Sequence, residues 1–247
     1  MIDTERFERA CSEVTKEEHE RSGIGVLNEK TLHAVLKRYY EPDTDRHEIP
    51  VGRYVADIIG EDGIIEIQTG SFTPLRPKLE LLLDFADVTV VYPMAAVKYI
   101  SWIDPDTGEM SAPRKSPKRM KPIDAFYQLI RIMYTLDNPR FHLRLVMLEL
   151  YEQRLLNGWS KDKKRGSRRQ DRQPAKLLDE ICIDCPEDFD MFIPEGLEER
   201  FTIKEFAKAA KVPYDLAQRT IKVLCYLERL ALVGKRDREN LYSAKKS

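Results

Sequence analysis

The sequence predicts an α/β protein with a small second domain at its C-terminal end. Three observations lead there. An amphipathic helical stretch precedes a mixed run of strand-like and helix-like segments, which is an α/β signature. The chain of 247 residues, 42% of them hydrophobic, holds enough apolar material for one substantial core and an appendage. From residue 198 onward the pattern changes to two short helices and a hairpin.

Taken in order, residues 1–22 read as a helical, charged extension. Residues 24–40 predict a helix, because Leu32, Val35, Leu36 and Tyr39 recur at helical spacing. At about 100° per residue, Glu29 falls roughly 20° from Leu36, on the border of the apolar stripe. Residues 41–50, polar and proline-bounded, predict a loop. Residues 51–59 and 64–69 are rich in β-branched side chains and flank Gly60-Glu61-Asp62-Gly63, a hairpin signal. Residues 74–85 predict a short helix with Leu75, Leu79, Leu82 and Leu83, and residues 88–92 a buried strand. A further hairpin is expected from residues 97–103, turning at residues 104–108. Residues 123–136 read as a helix with Pro122 at its start. Residues 143–156 are ambiguous, a strand in the first half.

The net charge of −1 hides strong segregation. Residues 114–121 carry Arg114, Lys115, Lys118, Arg119 and Lys121 with no acid. A second run holds Lys161, Lys163, Lys164, Arg165, Arg168, Arg169, Arg172 and Lys176 against Asp162 and Asp171, and residues 179–199 then turn acidic. Residues 159–197 are therefore expected to be a basic, then acidic, linker or loop. Such blocks are commonly solvated surface, and two basic ones on one chain point to a polyanion partner. No stretch approaches the roughly 18 apolar residues of a membrane span, and the N-terminal residues are charged, so a cytoplasmic protein is expected. Four scattered cysteines exclude a disulfide scaffold. Cys182 and Cys185 form a CxxC without an evident second ligand pair for zinc. Gly23-Ile24-Gly25 lacks the preceding strand and third glycine of a dinucleotide loop, so no small-molecule cofactor is evident.

Strand alternation makes the segment at residues 51–69 informative. Asp57 shares a face with Val55 and Ile59, and Glu66 and Gln68 share one with Ile64. If the loop is Gly60 to Gly63, Asp57 lies across from Glu66; a two-residue loop at Asp62-Gly63 puts it across from Gln68. Either even loop leaves all three on one face. Carboxylates opposed across a sheet among Ile58, Ile65 and Ile67 need an offset, and a hard divalent cation is the economical one. The alternative is a polar strand edge facing water.

This arrangement resembles the PD-(D/E)XK nuclease superfamily over residues 23–103, within an expected domain of residues 23–158. Its helical Glu, strand Asp and Glu-x-Lys map onto Glu29, Asp57 and Glu66-Ile67-Gln68. The succeeding helix and strand at residues 75–85 and 88–92 fit the same core order. The resemblance implies a restriction-endonuclease-like mixed sheet flanked by helices. It also implies Mg²⁺ or Mn²⁺ held by Asp57 and Glu66, with Glu29 in the outer metal shell or a second site, and phosphodiester hydrolysis in DNA. Ala56 replaces the pattern's proline, and Gln68 its lysine. Glutamine can orient by hydrogen bonds but brings no charge, which leaves a second metal, Lys37, Lys78 or Lys98 to supply it. His33, one turn after Glu29, is a candidate phosphate contact. One such site cuts one strand, so double-strand cleavage implies a homodimer or sequential nicks.

At the C-terminal end, Thr202 and Glu205 make a capping box ahead of a helix at residues 203–210. A longer helix at residues 214–230 and a hairpin around Asp237 follow. This succession resembles a winged helix-turn-helix domain over residues 198–247. From Phe201 onward there are eleven basic and five acidic residues, which suits DNA. Tyr214, Gln218, Arg219 and Lys222 would then lie on the recognition helix, and Lys235, Arg236 and Arg238 on the wing. The expected DNA contacts are these, together with Lys115, Lys118, Arg119, Lys163, Lys164, Arg165, Arg168 and Arg169. Two further readings stand beside the endonuclease: a catalytically inactive DNA-binding regulator on the same scaffold, and an adaptor that uses the winged helix to dock protein.

Overall fold

The computed structural model describes residues 2–21, 31–157 and 166–245. The chain divides into two compact units. One comprises Met1–Gly60, Tyr92–Met120 and Leu145–Glu180; the other comprises Glu61–Val91, Lys121–Arg144 and Ile181–Ser247. The described chain is mixed α/β, with helices and a mixed sheet whose strands lie in the order 47–51, 54–60, 63–67, 88–103, 141–155 and 168–183, with 114–115 beside 88–103.

The first unit begins with α1 (Thr4–Arg21) and α2 (Thr31–Tyr40). Phe7, Ala10 and Val14 recur every three to four residues along α1 and are buried, as are Leu32, Val35, Leu36 and Tyr39 of α2. The rings of Phe7 and Tyr39 meet edge to face at 5.6 Å. Glu29 and the rest of residues 22–30 lie outside the described residues.

The segment expected as a loop contains β1 (His47–Val51), antiparallel to β2 (Tyr54–Gly60), with Ile49 opposite Ala56 and Val51 opposite Tyr54. Pro50 is tolerated because β1 ends the strand order and its missing N–H costs no ladder bond on the open side. Likewise, the two strands expected across residues 88–103 are one, β4 (Val88–Ile103). The turn after it forms as expected, with Gly108 N–H donating to the Asp104 carbonyl at 2.9 Å, and β5 (Arg114–Lys115) returns along Tyr99 and Ile100.

β6 (Phe141–Leu155) is strand throughout, where only its first half was expected to be. β7 (Arg168–Ile183) occupies much of the stretch expected as a linker.

In the second unit, β3 (Gly63–Ile67) pairs parallel with the start of β4, Ile64 opposite Val88 and Glu66 opposite Val90. A parallel pair needs a crossover, supplied by α3 (Arg76–Leu82), whose Leu79 and Leu82 are fully buried. Gly63 takes φ 120°, and a Cβ there would meet the Asp87 carbonyl oxygen at 2.5 Å, so no other residue fits.

The helix expected at residues 123–136 is broken into a 3₁₀ turn (Pro122–Ala125), α4 (Phe126–Leu129) and a second 3₁₀ turn (Met133–Thr135). Apolar spacing of three and four suits both kinds of turn, which is why periodicity alone did not separate them. Phe126 packs edge to face on Phe192 at 5.0 Å.

At its end, α5 (Ile203–Ala210) and α6 (Tyr214–Tyr226) lead to the antiparallel β8 (Leu230–Arg236) and β9 (Glu239–Ala244). Phe201 forms an isolated antiparallel bridge with Tyr242 beside the hairpin. Among the described residues no helix is long and apolar enough to cross a membrane.

Candidate functional site

The first unit holds Asp57. Alternation along β2 buries Ala56 and Ile58 and turns Asp57 to the other face, where Val55 is 51% exposed. Its surroundings are therefore less apolar than the sequence suggested. His33, on the buried side of the first turn of α2, brings Nε2 to 3.2 Å from Asp57 Oδ2, with both side chains 22% accessible. The residue expected as a candidate phosphate contact thus stands beside the Asp57 carboxylate. One turn on, Lys37 is buried and bonds Glu48 Oε1 at 3.0 Å. Helix spacing thus aims two cationic or protonatable groups at carboxylates on adjacent strands.

The second unit holds Glu66 and Gln68. Glu66 lies on the face of Ile64, as alternation requires, and is only 3% exposed. Lys78, projecting from α3, pairs with Glu66 Oε2. Gln68, at the position where a lysine would stand, donates from Nε2 to its own loop, at 2.5 Å from the Ser71 carbonyl. Its backbone N–H meets the Val91 carbonyl at 2.8 Å and so extends the parallel ladder. Among the described residues no group of three or more His, Cys, Asp or Glu side chains is gathered for a metal.

The C-terminal segment of the same unit presents a second kind of surface. Thr202 Oγ1 accepts from the Glu205 N–H at 3.3 Å and Glu205 Oε2 accepts from the Thr202 N–H at 2.7 Å, completing the capping box. Lys211, left-handed at φ 53°, ends α5. On α6, Leu216, Ala217, Thr220, Ile221, Val223 and Leu224 face inward. Asp215, Arg219 and Tyr226 form the flank of that buried face and meet residues 127–137. Arg219 lies over the Tyr127 ring at 5.6 Å, and Tyr226 Oη donates to Asp137 Oδ1 at 3.0 Å. Arg219 is thus engaged within the unit, whereas Tyr214, Gln218 and Lys222 remain exposed.

In the hairpin, Lys235, Arg236 and Arg238 are exposed, and Arg236 Nη2 bonds Glu205 Oε1 at 2.5 Å. The Glu205 carboxyl is held below the ordinary glutamate range, first by the Thr202 N–H and then by Arg236.

The remaining basic positions divide. Lys115, Lys118, Arg119, Arg168 and Arg169 are exposed, while Lys163, Lys164 and Arg165 lie outside the described residues. The four cysteines are free thiols. Burial pushes Cys11 and Cys225 up to about 11, which leaves them unreactive as thiolates, and Cys182 and Cys185 stand exposed.

The sequence reading overlooked Glu152, a buried carboxylate on β6 that faces Lys98, Arg154 and Arg169. The signal was available in part, since residues 152 and 154 share a strand face.

Residues 30–184 match the family model of a domain of unknown function, DUF8091. An uncharacterised protein of Treponema pallidum (strain Nichols) is 32% identical over 126 residues, covering 51% of this chain and 50% of the relative. The chain therefore spans about half the length of the curated relative it matches. No solved structure matches.

Proposed function

The chain belongs to the DUF8091 domain family, and from the chemistry of its residues we propose that it is a divalent-metal-dependent DNA endonuclease with a winged-helix DNA-binding module. The observation that carries this reading is the pairing of Glu66 with Lys78. A lysine from the following helix stands beside the third-strand glutamate, which makes up for the neutral Gln68 in the pattern. Supporting it is the order α2, β1, β2, β3, α3, β4, with β3 and β4 parallel, which agrees with the core of the PD-(D/E)XK superfamily.

In this reading Asp57 and Glu66 are the residues that, by the superfamily resemblance alone, would hold Mg²⁺ or Mn²⁺, and the hard oxygen donors of each suit such an ion. When bound, the metal supplies Lewis-acid stabilisation of the scissile phosphate and lowers the pKa of water. The chain's own groups do the rest. Lys78 orients Glu66 and is the ammonium for charge developing on phosphate. His33, donating from Nε2, fixes the Asp57 carboxylate. Gln68 holds the loop at Ser71. Glu29 lies outside the described residues, and the resemblance implies for it the outer metal shell or a second site.

The winged-helix part rests on the order of Phe201, α5, α6 and the β8–β9 hairpin, and on the exposed Gln218, Lys222, Lys235 and Arg238. Incubating the purified protein with supercoiled plasmid in Mg²⁺, in Mn²⁺ and in EDTA tests the reading. Metal-dependent nicking is expected, and its loss in Glu66→Gln assigns it to this chain.

One observation favours a second reading, a DNA-binding regulator without catalysis. Gln68 is turned to its own loop and Asp57 already holds a basic partner. DNA binding without cleavage in any metal would select it.

A further inference from the structure

The first unit gathers more positive charge around one carboxylate than that carboxylate needs. Glu152, on β6, is 2% exposed. Its Oε1 accepts from Arg154 Nε at 2.6 Å and Nη2 at 2.5 Å. Its Oε2 lies 3.5 Å from Lys98 Nζ of β4 and 3.6 Å from Arg169 Nε of β7. Three cations thus surround one acid. Arg172, buried next to them, feels the like charge of Arg169 and the opposite charge of Asp171, whose carboxylate accepts from Thr31 Oγ1 at 2.5 Å. Burial, before any other cause, pushes the Lys98 ammonium below its ordinary value despite Glu152.

Arg154 places both of its bonds on Oε1, which leaves Oε2 to Lys98 and Arg169. One carboxylate then balances only one of three cations, and withdrawing Lys98 and Arg169 partly from water is costly unless a further anion arrives. The arrangement is also held in place. The Arg154 guanidinium is fixed by Glu152 and lies over the Trp102 ring at 5.7 Å, while the Arg169 side chain remains 46% accessible.

We propose that Lys98, Arg154 and Arg169, organised by Glu152, form a phosphate-binding site that takes the backbone of DNA on the first unit, independently of the winged helix. The proposal rests on the DNA-acting reading above and adds to it a second place of contact. A polynucleotide, rather than a single free phosphate, is indicated by the continuation of positive charge along the next strand. The Ser116 N–H donates to the Lys98 carbonyl at 2.8 Å, and Lys115, Lys118 and Arg119 beside it are all exposed. Repeated cations along an extended segment match repeated phosphates.

The test is binding of a 20-base-pair duplex in EDTA, where no cleavage occurs, titrated across a range of NaCl concentrations. Each lost phosphate contact lowers the slope of log K against log salt by about 0.9. Arg169→Gln is expected to flatten the slope by that amount, and adding Arg154→Gln by a similar further step. Arg169 is the decisive position because it is the most accessible of the three, and the variant's melting temperature beside that of the unaltered protein shows that it is folded. A wild-type slope in Arg169→Gln overturns the site while leaving the DNA-acting reading intact. No binding by the unaltered protein overturns both.

Discussion

The ammonium of Lys78 on α3 pairs with the carboxylate of Glu66 on β3, and Glu66 is almost wholly withdrawn from water. Breaking a buried ion pair by removing one partner costs about 3 kcal/mol, because the remaining charge keeps its desolvation penalty. Lys78→Met should therefore lower stability by about that much in urea denaturation, while the double variant Glu66→Gln, Lys78→Met should recover most of it. Both variants should lack metal-dependent cleavage. A loss well under 1 kcal/mol in Lys78→Met would mean that solvent already screens the pair.

The two basic residues of α6 have different surroundings. Lys222 is exposed, whereas Arg219 lies over Tyr127. Lys222→Ala should flatten the salt dependence of DNA binding by about 0.9 in slope and leave the melting temperature unchanged. Arg219→Ala should instead cost about 1 kcal/mol of stability through lost stacking and stem packing. Salt titrations and thermal unfolding on the same two variants separate these outcomes. A Lys222→Ala slope equal to that of the unaltered protein favours protein docking at this module.

Glu205 links the cap of α5 to the β8–β9 hairpin, since it accepts from the Thr202 N–H and from Arg236. Its pKa is depressed in the folded state, so its contribution is present above the ordinary glutamate value and lost as pH falls through the lower, folded value. Glu205→Gln keeps the N3 hydrogen bond but not the charge. The variant should be less stable than the unaltered protein at neutral pH and equal to it below the depressed value, as read by denaturation at each pH. At neutral pH it should also bind DNA more tightly, because Arg236 is released from its carboxylate.

How legible these features were in the sequence depended on whether local chemistry or sheet position decided them. The capping box at Thr202 and Glu205 is a local signal, and α5 forms where it placed it, whereas the longer helix expected to residue 230 ends at Tyr226 and β8 begins at Leu230. Alternation put Glu66 on the face of Ile64, and it is buried there. The strands that escaped notice, β1 and β7, stand at the two ends of the strand order. Edge strands admit Pro50, Pro174 and many charged side chains, so their composition resembles that of loops.

The candidate site was half legible. Asp57, Glu66 and Gln68 stood out by parity, and Lys78 was one of three lysines able to replace the missing charge. Of the three, Lys78 is the one that pairs with Glu66, and the turn of α3 from which it projects is set by the burial of Leu79 and Leu82. His33 drew attention as a phosphate contact, and α2 aims it at Asp57.

The most direct measurement is nicking of supercoiled plasmid in Mg²⁺ or Mn²⁺ by the unaltered protein and by Asp57→Asn, with far-ultraviolet circular dichroism and melting temperature recorded for both. Asp57 is partly accessible and bonded to His33, so the isosteric amide should change stability by less than about 1 kcal/mol. The expected result is metal-dependent nicking by the unaltered protein and none by a normally folded Asp57→Asn. Equal nicking by the two proteins, or none by either in any divalent metal, would contradict the assignment of a nuclease centre to Asp57 and Glu66.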